Sequence, residues 1–161
     1  TSPLMGMGHG HYIFYDDDTR QEVLQWMPLA QCTAYPEFGM PGPANVDTLK
    51  SFLPESERWP PQRNTTWHSH HAFDAWQGDT WLMPQVIERY FGASENLNDL
   101  VDRGQFLQSV GYQFIFEEAR RQKPYCAMAL NWCFNEPWPT AANNSLLCWP
   151  AEPKPSEGGS A

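Results

Sequence analysis

Two observations predict an α/β fold built on a parallel sheet. Strand-like and helix-like segments alternate along the 161 residues in the order strand, helix, strand, helices, strand, which is typical of helices packed on a parallel sheet. The last strand-like run, residues 125–134, is apolar on both faces, as expected for a strand buried between layers. Because three parallel strands leave long apolar edges unpaired, we expect this chain to be part of something larger.

The first half of the chain contains two predicted strands and two predicted helices. Residues 11–15 are aromatic and β-branched and lead into three aspartates, a pattern that predicts a strand. Thr19 is expected to begin a helix, with Glu22 completing a capping box. The second strand is predicted at residues 32–35, and Asn45 is expected to cap a short helix.

The second half begins with a loop and continues with two helices and the last strand. Residues 54–78 are rich in aromatic residues and show no regular period, so we expect a loop there. Asp79 or Thr80 is expected to begin a helix that ends at Tyr90. The longest helix is predicted over residues 96–122, where apolar residues recur near a period of 3.6.

Composition excludes two classes of function. The chain has 10 basic and 19 acidic residues, a net charge of −9 at pH 7, which argues against a protein that binds nucleic-acid backbones. It has no apolar run of about 18 residues, so we expect no membrane-spanning helix. Its 8 tryptophans, 15 prolines and 11 glycines indicate a loop-rich protein with many aromatic surfaces.

The cysteines and histidines give no metal-binding pattern. None of the 4 cysteines belongs to a C-x-x-C pair, and we expect them to be small buried side chains. The closely spaced His68, His70 and His71 lack the helical or Cys/His spacing of a zinc site. We therefore predict neither a metal nor a cofactor.

Carboxylates at predicted strand ends, together with tryptophans, suit glycoside hydrolysis. Glu37 follows the second strand, and Asn135 and Glu136 follow the third. In parallel α/β folds, functional groups gather at the carboxyl ends of the strands. Glycosidases use one carboxylate at the anomeric carbon and a second to protonate the leaving oxygen.

Two ordered motifs resemble glycoside hydrolase family 2. Residues 35–41, Y-P-E-F-G-M-P, are similar to the family's S/T-E-F-G strand, with Pro36 in place of the hydroxyl residue. Residues 132–139, W-C-F-N-E-P-W-P, resemble its W-Q-L-N-D-x-W-P segment. Residues 153–155 resemble the R-P-K-P that follows. The resemblance spans nearly the whole chain and is closest to the β-mannosidase and exo-β-glucosaminidase branch.

The resemblance implies part of a (β/α)8 barrel, roughly strands six to eight, over residues 1–155. The composition of residues 156–161 predicts a flexible tail. The family hydrolyses terminal β-linked sugars with retention, and Glu37 aligns with its nucleophile. The acid/base glutamate belongs to the fourth strand, so it is expected upstream of this chain. The residues expected to contact the sugar are Trp132, Asn135, Glu136, His11 and His71.

Two other functions remain open at this stage. The chain could be a non-catalytic carbohydrate-binding or structural module in which Glu37 only forms hydrogen bonds. It could also be a hydrolase that pairs a cysteine with His70 or His71. The expected partners are a carbohydrate substrate and the upstream part of the same barrel.

Overall fold

The computed structural model describes residues 7–9, 12–74 and 81–155, and the tail predicted at 156–161 lies outside them. The strands in these residues are β1 (Met7–His9), β2 (Tyr15–Asp16), β3 (Gln21–Glu22), β4 (Ala34–Phe38), β5 (Gly42–Pro43), β6 (Met128–Asn131), β7 (Ala142–Asn143), β8 (Leu147–Cys148) and β9 (Glu152–Pro153). The α-helices are α1 (Val23–Trp26), α2 (Val46–Phe52), α3 (Thr66–Ser69), α4 (Pro84–Phe91) and α5 (Leu97–Arg121), and 3-10 turns cover Met27–Leu29 and Glu55–Glu57.

A three-stranded parallel sheet forms the centre of the molecule. Its order, β1-β4-β6, follows the order of the chain. Ala34 of β4 lies opposite Met7 on one side and Met128 on the other. Helices connect the strands, as parallel pairing requires, so the predicted α/β class is confirmed. Within the described residues the sheet is open, and the partial (β/α)8 barrel stays a prediction.

The first predicted strand is wrong in position. Residues 12–14 form no strand, and the sheet takes Met7–His9 instead. The aromatic run is apolar because it packs as a loop: Phe14 is buried, with its ring 5.4 Å from that of Tyr90. A short apolar run looks the same in a strand and in a buried loop, so periodicity does not distinguish them.

The helix expected from Thr19 begins later, at Val23. Residues 21–22 pair instead with 15–16 as a small antiparallel hairpin. A capping box is present, but Glu22 and Gln25 form it. The segment expected to be a loop also contains the short helix α3.

Both remaining strands differ from their predicted bounds in ways that affect the site. The second strand was expected at 32–35, whereas β4 extends to Phe38 and therefore includes Glu37. The third was expected to be buried on both faces. Met128 and Leu130 of β6 are instead 39% and 51% exposed, because α5 covers only the opposite face of the sheet.

Helix α5 covers that opposite face. The side chain of its N-cap, Asn96, accepts a hydrogen bond of 3.0 Å from the Asp99 N–H, as predicted. From β4, the ring of Phe38 packs against the α5 rings of Tyr112 and Phe116, with centroids 6.2 and 5.2 Å apart. This packing fixes β4 against α5 on the helix-covered face of the sheet.

The helix before α5 is shorter than predicted. It begins at Pro84 rather than Asp79 or Thr80, both of which lie outside the described residues. Gly92 ends it at a φ of 75°, a backbone conformation that glycine adopts readily. No helix in the described residues is long and apolar enough to cross a membrane.

Candidate functional site

Glu37 lies at the carboxyl end of the central strand. It is the fourth of the five residues of β4, and its side chain is half-buried. The buried Tyr12 hydroxyl donates a short hydrogen bond to the Glu37 carboxylate. Burial, and then the hydrogen bond and charge of Glu37, raise the pKa of Tyr12. The phenol therefore remains a proton donor to this carboxylate throughout the neutral range.

Trp132 lies beside Glu37 because β6 extends the sheet to this point. Its backbone N–H donates a hydrogen bond of 2.7 Å to the carbonyl of Phe38, the residue after Glu37. The peptide bond from Trp132 to Cys133 is cis. The Trp132 side chain is 44% exposed, so part of the ring is open to a ligand.

Two aromatic side chains support the Trp132 ring. The Tyr12 ring meets it edge-on, with centroids 6.3 Å apart and an interplanar angle of 87°. Trp81 lies on it at a centroid distance of 6.3 Å and an angle of 38°. Tyr12 thus contacts both the carboxylate and the exposed tryptophan. We call Tyr12, Glu37, Trp81 and Trp132 the Glu37 cluster.

The Glu37 cluster brings together a carboxylate, a hydroxyl donor and an exposed indole. A carboxylate is a group that can act as a nucleophile in covalent glycosyl transfer, and here the Tyr12 hydroxyl donates to it. An exposed indole face suits the C–H face of a sugar ring. The retaining reaction needs a second carboxyl group about 5–5.5 Å away.

The structure separates Asn135 from Glu136. The Asn135 side chain is exposed, and its backbone forms a bridge to Leu147. The Glu136 side chain is 2% exposed, and it accepts hydrogen bonds from Ser145 Oγ and, at 3.0 Å, from Asn143 Nδ2. Asn135 can meet a ligand directly, whereas Glu136 is occupied within the protein. Their predicted contacts with a sugar stay predictions.

The two histidines predicted to bind sugar are not part of the Glu37 cluster as described. His11 lies outside the described residues. His71 is exposed, with its ring edge-on to Trp138 at 5.7 Å. The neighbouring His70 stacks on Phe52 at 4.1 Å. His71 and Trp138 therefore form a separate aromatic contact, and its relation to a sugar stays a prediction.

The structure argues against Cys133 as the nucleophile of a cysteine hydrolase. Cys133 is next to the cluster in sequence, but burial, and then the Glu136 charge, raise the pKa of its thiol to about 11. It is therefore a thiol at neutral pH, whereas the thiolate is the reactive form. In the described residues no group of three or more His, Cys, Asp or Glu side chains could hold a metal ion.

Sequence reasoning missed Tyr12 and Trp81 as site residues. Tyr12 lies in the aromatic run 11–15 that predicts a strand, and a strand pattern by itself gives a side chain no role in a site. No sequence feature near Trp81 indicates that its ring lies against that of Trp132.

Three solved structures share this fold. A β-D-mannosidase from Dictyoglomus thermophilum matches 92% of the chain with a TM-score of 0.76 and 20% identity. An exo-chitosanase from Amycolatopsis orientalis matches 97% with a TM-score of 0.67 and 20% identity. An exo-β-D-glucosaminidase, inhibited by a glucosamine-configured castanospermine, matches 78% with a TM-score of 0.59 and 22% identity.

These likenesses confirm, at the level of the fold, the resemblance seen in the sequence motifs. The matched part is 18%, 19% and 15% of the three chains, respectively, so this chain spans less than a fifth of each. No family model matches the chain, and no curated protein matches it by sequence.

Proposed function

We propose that this chain is part of a retaining glycoside hydrolase and that Glu37 is its nucleophile. The observation that carries the proposal is the Glu37 cluster: a carboxylate at the carboxyl end of a parallel strand, held by the Tyr12 hydroxyl beside the exposed Trp132. The fold shared with a β-D-mannosidase and an exo-chitosanase supports it.

In the proposed reaction, a Glu37 oxygen attacks the anomeric carbon while the bond to the leaving oxygen breaks. A second carboxylic acid, from outside this chain, gives its proton to that oxygen. Water then attacks the anomeric carbon, the bond to Glu37 breaks, and the product retains its configuration. In this proposal Tyr12 orients the Glu37 carboxylate, and Trp132 lies under the sugar ring.

The substrates we propose are terminal β-linked sugars of the mannoside or glucosaminide kind. The sequence resemblance is closest to that branch, and the matching structures carry those names.

The partner we propose is the upstream part of the same barrel. Met128 and Leu130 lie on the face of β6 that α5 leaves uncovered, and both are exposed. Parallel sheets are normally covered on both faces. The matched structures are more than five times longer than the part matched here, which supports a larger parent protein, and we assign the remaining strands and the acid to its upstream part.

Covalent labelling tests the nucleophile directly. A folded chain, checked by near-UV circular dichroism, is incubated with a dinitrophenyl 2-deoxy-2-fluoro-β-mannoside and its intact mass is measured. The activated leaving group needs little protonation, so labelling does not require the acid. We expect one sugar on the wild type and none on Glu37→Gln.

A non-catalytic carbohydrate-binding module is the second candidate. The open Trp132 ring favours it, because an exposed indole binds sugars without any chemistry at Glu37. Equal saturation-transfer signals from mannobiose with the wild type and Glu37→Gln, and no covalent label on either, would favour this candidate over the nucleophile.

A further inference from the structure

A lysine side chain, that of Lys154, is buried outside the Glu37 cluster. Lys154 is 2% exposed, and its Nζ donates to the carbonyls of Asn143 and Gly42 at 3.3 and 3.5 Å. Its backbone N–H donates to Leu146 at 2.9 Å. Burial lowers the pKa of Lys154, and the charge of Glu136 opposes that shift. A buried charge is costly unless it has partners, so this arrangement needs an explanation.

Glu136 is the opposite charge of this buried group. Its side chain is also 2% exposed. Asn143 links the two charges, because its amide nitrogen donates to Glu136 at 3.0 Å while its backbone carbonyl accepts from Lys154. Ser145 Oγ donates to the other Glu136 oxygen. We call Glu136, Asn143, Ser145 and Lys154 the buried polar network.

The buried polar network joins the segments that follow both strands of the candidate site. On the β4 side, Gly42 pairs with Asn143, and Lys154 binds the carbonyl of each. On the β6 side, the carbonyl of Phe134 accepts from the N–H groups of Leu146 and Leu147 at 3.1 and 3.0 Å.

Trp132 is therefore fixed from two directions. Its own N–H is bound to β4 through Phe38. Four residues later, the Glu136 N–H donates to Leu147 at 3.1 Å, and the Glu136 carboxylate enters the buried polar network. The short segment between these anchors carries the exposed indole.

We propose that Lys154 and Glu136 are positioning residues that set the place of the Trp132 ring relative to Glu37. This inference rests on the proposed function only in treating Trp132 as the surface that a sugar contacts. The physical claim is that the two buried charges balance each other. Removing one leaves the other unpaired, and the segment carrying Trp132 moves.

Fluorine NMR of the chain labelled with 5-fluorotryptophan tests the claim. The Trp132→Phe variant assigns the Trp132 signal. We expect Lys154→Met to shift and broaden that signal, because the Glu136 carboxylate is then buried without its counter-charge. We expect Lys154→Met combined with Glu136→Gln to bring it back toward the wild-type position, because neither charge then remains.

Leu100→Ala is the matched control for a general loss of packing. Leu100 is buried, and it lines the same cavity as Trp59, which is about 240 Å³. This variant should shift the Trp59 signal and leave the Trp132 signal in place. A buried polar network with only a general structural role would instead give similar Trp132 changes in Leu100→Ala and Lys154→Met.

Two results would overturn the inference. One is an unchanged Trp132 signal in folded Lys154→Met. The other is a Trp132 shift that persists at full size in the double variant. If Lys154→Met does not fold, Glu136→Gln alone takes its place, and its Trp132 signal must shift. None of these signals depends on turnover, so failure of sugar labelling at Glu37 refutes the proposed function and leaves this inference standing.

Discussion

The hydrogen bond from Tyr12 orients the Glu37 carboxylate in the candidate site. A carboxylate that accepts a hydrogen bond from a buried phenol has one oxygen occupied and its plane fixed. Hydrogen bonds to charged groups contribute more than those between neutral groups, about 1.5–3 kcal/mol. Pro36, the residue before Glu37, has no hydroxyl, whereas the Tyr12 hydroxyl donates to the Glu37 carboxylate.

Tyr12→Phe removes this donor and keeps the ring. We expect covalent labelling of Glu37 by the fluorinated mannoside to slow by roughly ten-fold or more, since about 1.4 kcal/mol corresponds to ten-fold. The rate is read from the intact mass over time.

The chain offers a matched control for that prediction. Tyr90 OH donates to Glu22 at 2.5 Å, a tyrosine–glutamate pair outside the Glu37 cluster. Tyr90→Phe removes the same chemistry elsewhere and should leave the labelling rate unchanged. Equal rates in Tyr12→Phe and the wild type would mean that the phenol does not assist Glu37.

At this scale, the sequence predicted what is local and missed what depends on distant partners. Glu37 was identifiable from its own motif. Its partner Tyr12 lies 25 positions away, and the two meet only because the segments carrying them lie side by side at the sheet. Glu136 had a motif signal for sugar contact, yet its carboxylate turns inward, and nothing in the sequence gives its direction.

At the scale of elements, α5 approaches the segment after β4 very closely. Its Gly104 faces the Pro43 ring, and its Gly111 faces Met40. A Cβ on Gly104 would lie 2.6 Å from Pro43 Cδ, and one on Gly111 would lie 2.7 Å from Met40 Cε. Glycine weakens a helix interior by about 1 kcal/mol relative to alanine. At these two positions that cost is offset by the close approach of α5 to the segment after β4.

Gly104→Ala should therefore destabilise the chain despite the better helix propensity of alanine. The proline ring is rigid, and overpacking typically costs about 1–3 kcal/mol, more than the helix gains. We expect a lower urea midpoint with an unchanged slope. Gly111→Ala is the comparison, and it should lose less because the Met40 side chain can rotate. A Gly104→Ala variant as stable as the wild type would show that the helix can shift away.

The elements also show why helices were easier to predict than strands. The signals that end α4 and begin α5 are local: Gly92 adopts a positive φ, and the Asn96 side chain bonds Asp99 three residues on. Strand bounds depend on which segments pair. The apolar run 125–134 predicts a long strand, whereas the segment that pairs with β4 is only Met128–Asn131.

At the scale of the whole molecule, buried tyrosines predict loss of stability in alkali. Burial is the main cause that raises the pKa of Tyr12, Tyr35, Tyr90 and Tyr112 above the ordinary 10.0. Above that pH the unfolded chain releases protons that the folded chain keeps, so the free energy of unfolding falls as pH rises. The raised pKa of the Cys133 thiol acts in the same direction, and the lowered pKa of Lys154 acts in the opposite direction.

Thermal unfolding between pH 8 and pH 11.5 checks this sign. We expect the melting temperature to fall steeply above about pH 10. Absorbance at 295 nm should show several phenols ionising only as the chain unfolds. A melting temperature that is flat through this range would contradict the burial of these hydroxyls.

The exposed apolar residues around β6 indicate an interaction surface on this face of the sheet. Met128 and Leu130 alternate along the strand, so they share one face, and Phe134, beyond the end of the strand, is a further exposed apolar residue at 62%. Large exposed apolar surfaces mark interaction sites, and we interpret these exposed residues in that way. The place of this surface on the helix-free side of the sheet fits the proposed upstream barrel strands better than an unrelated partner.

Without those strands, this face should make the chain associate with itself. Sedimentation velocity of the isolated chain is expected to show reversible oligomers, because each copy gains by burying the face against another. Leu130→Ser combined with Phe134→Ser should shift the chain toward monomer. Leu29→Ser is the matched control, since Leu29 is 77% exposed but lies away from β6 on the turn after α1. If Leu29→Ser removes the oligomers equally well, the contact between copies lies elsewhere. If the wild type stays monomeric at high concentration, the exposed face of β6 does not drive self-association.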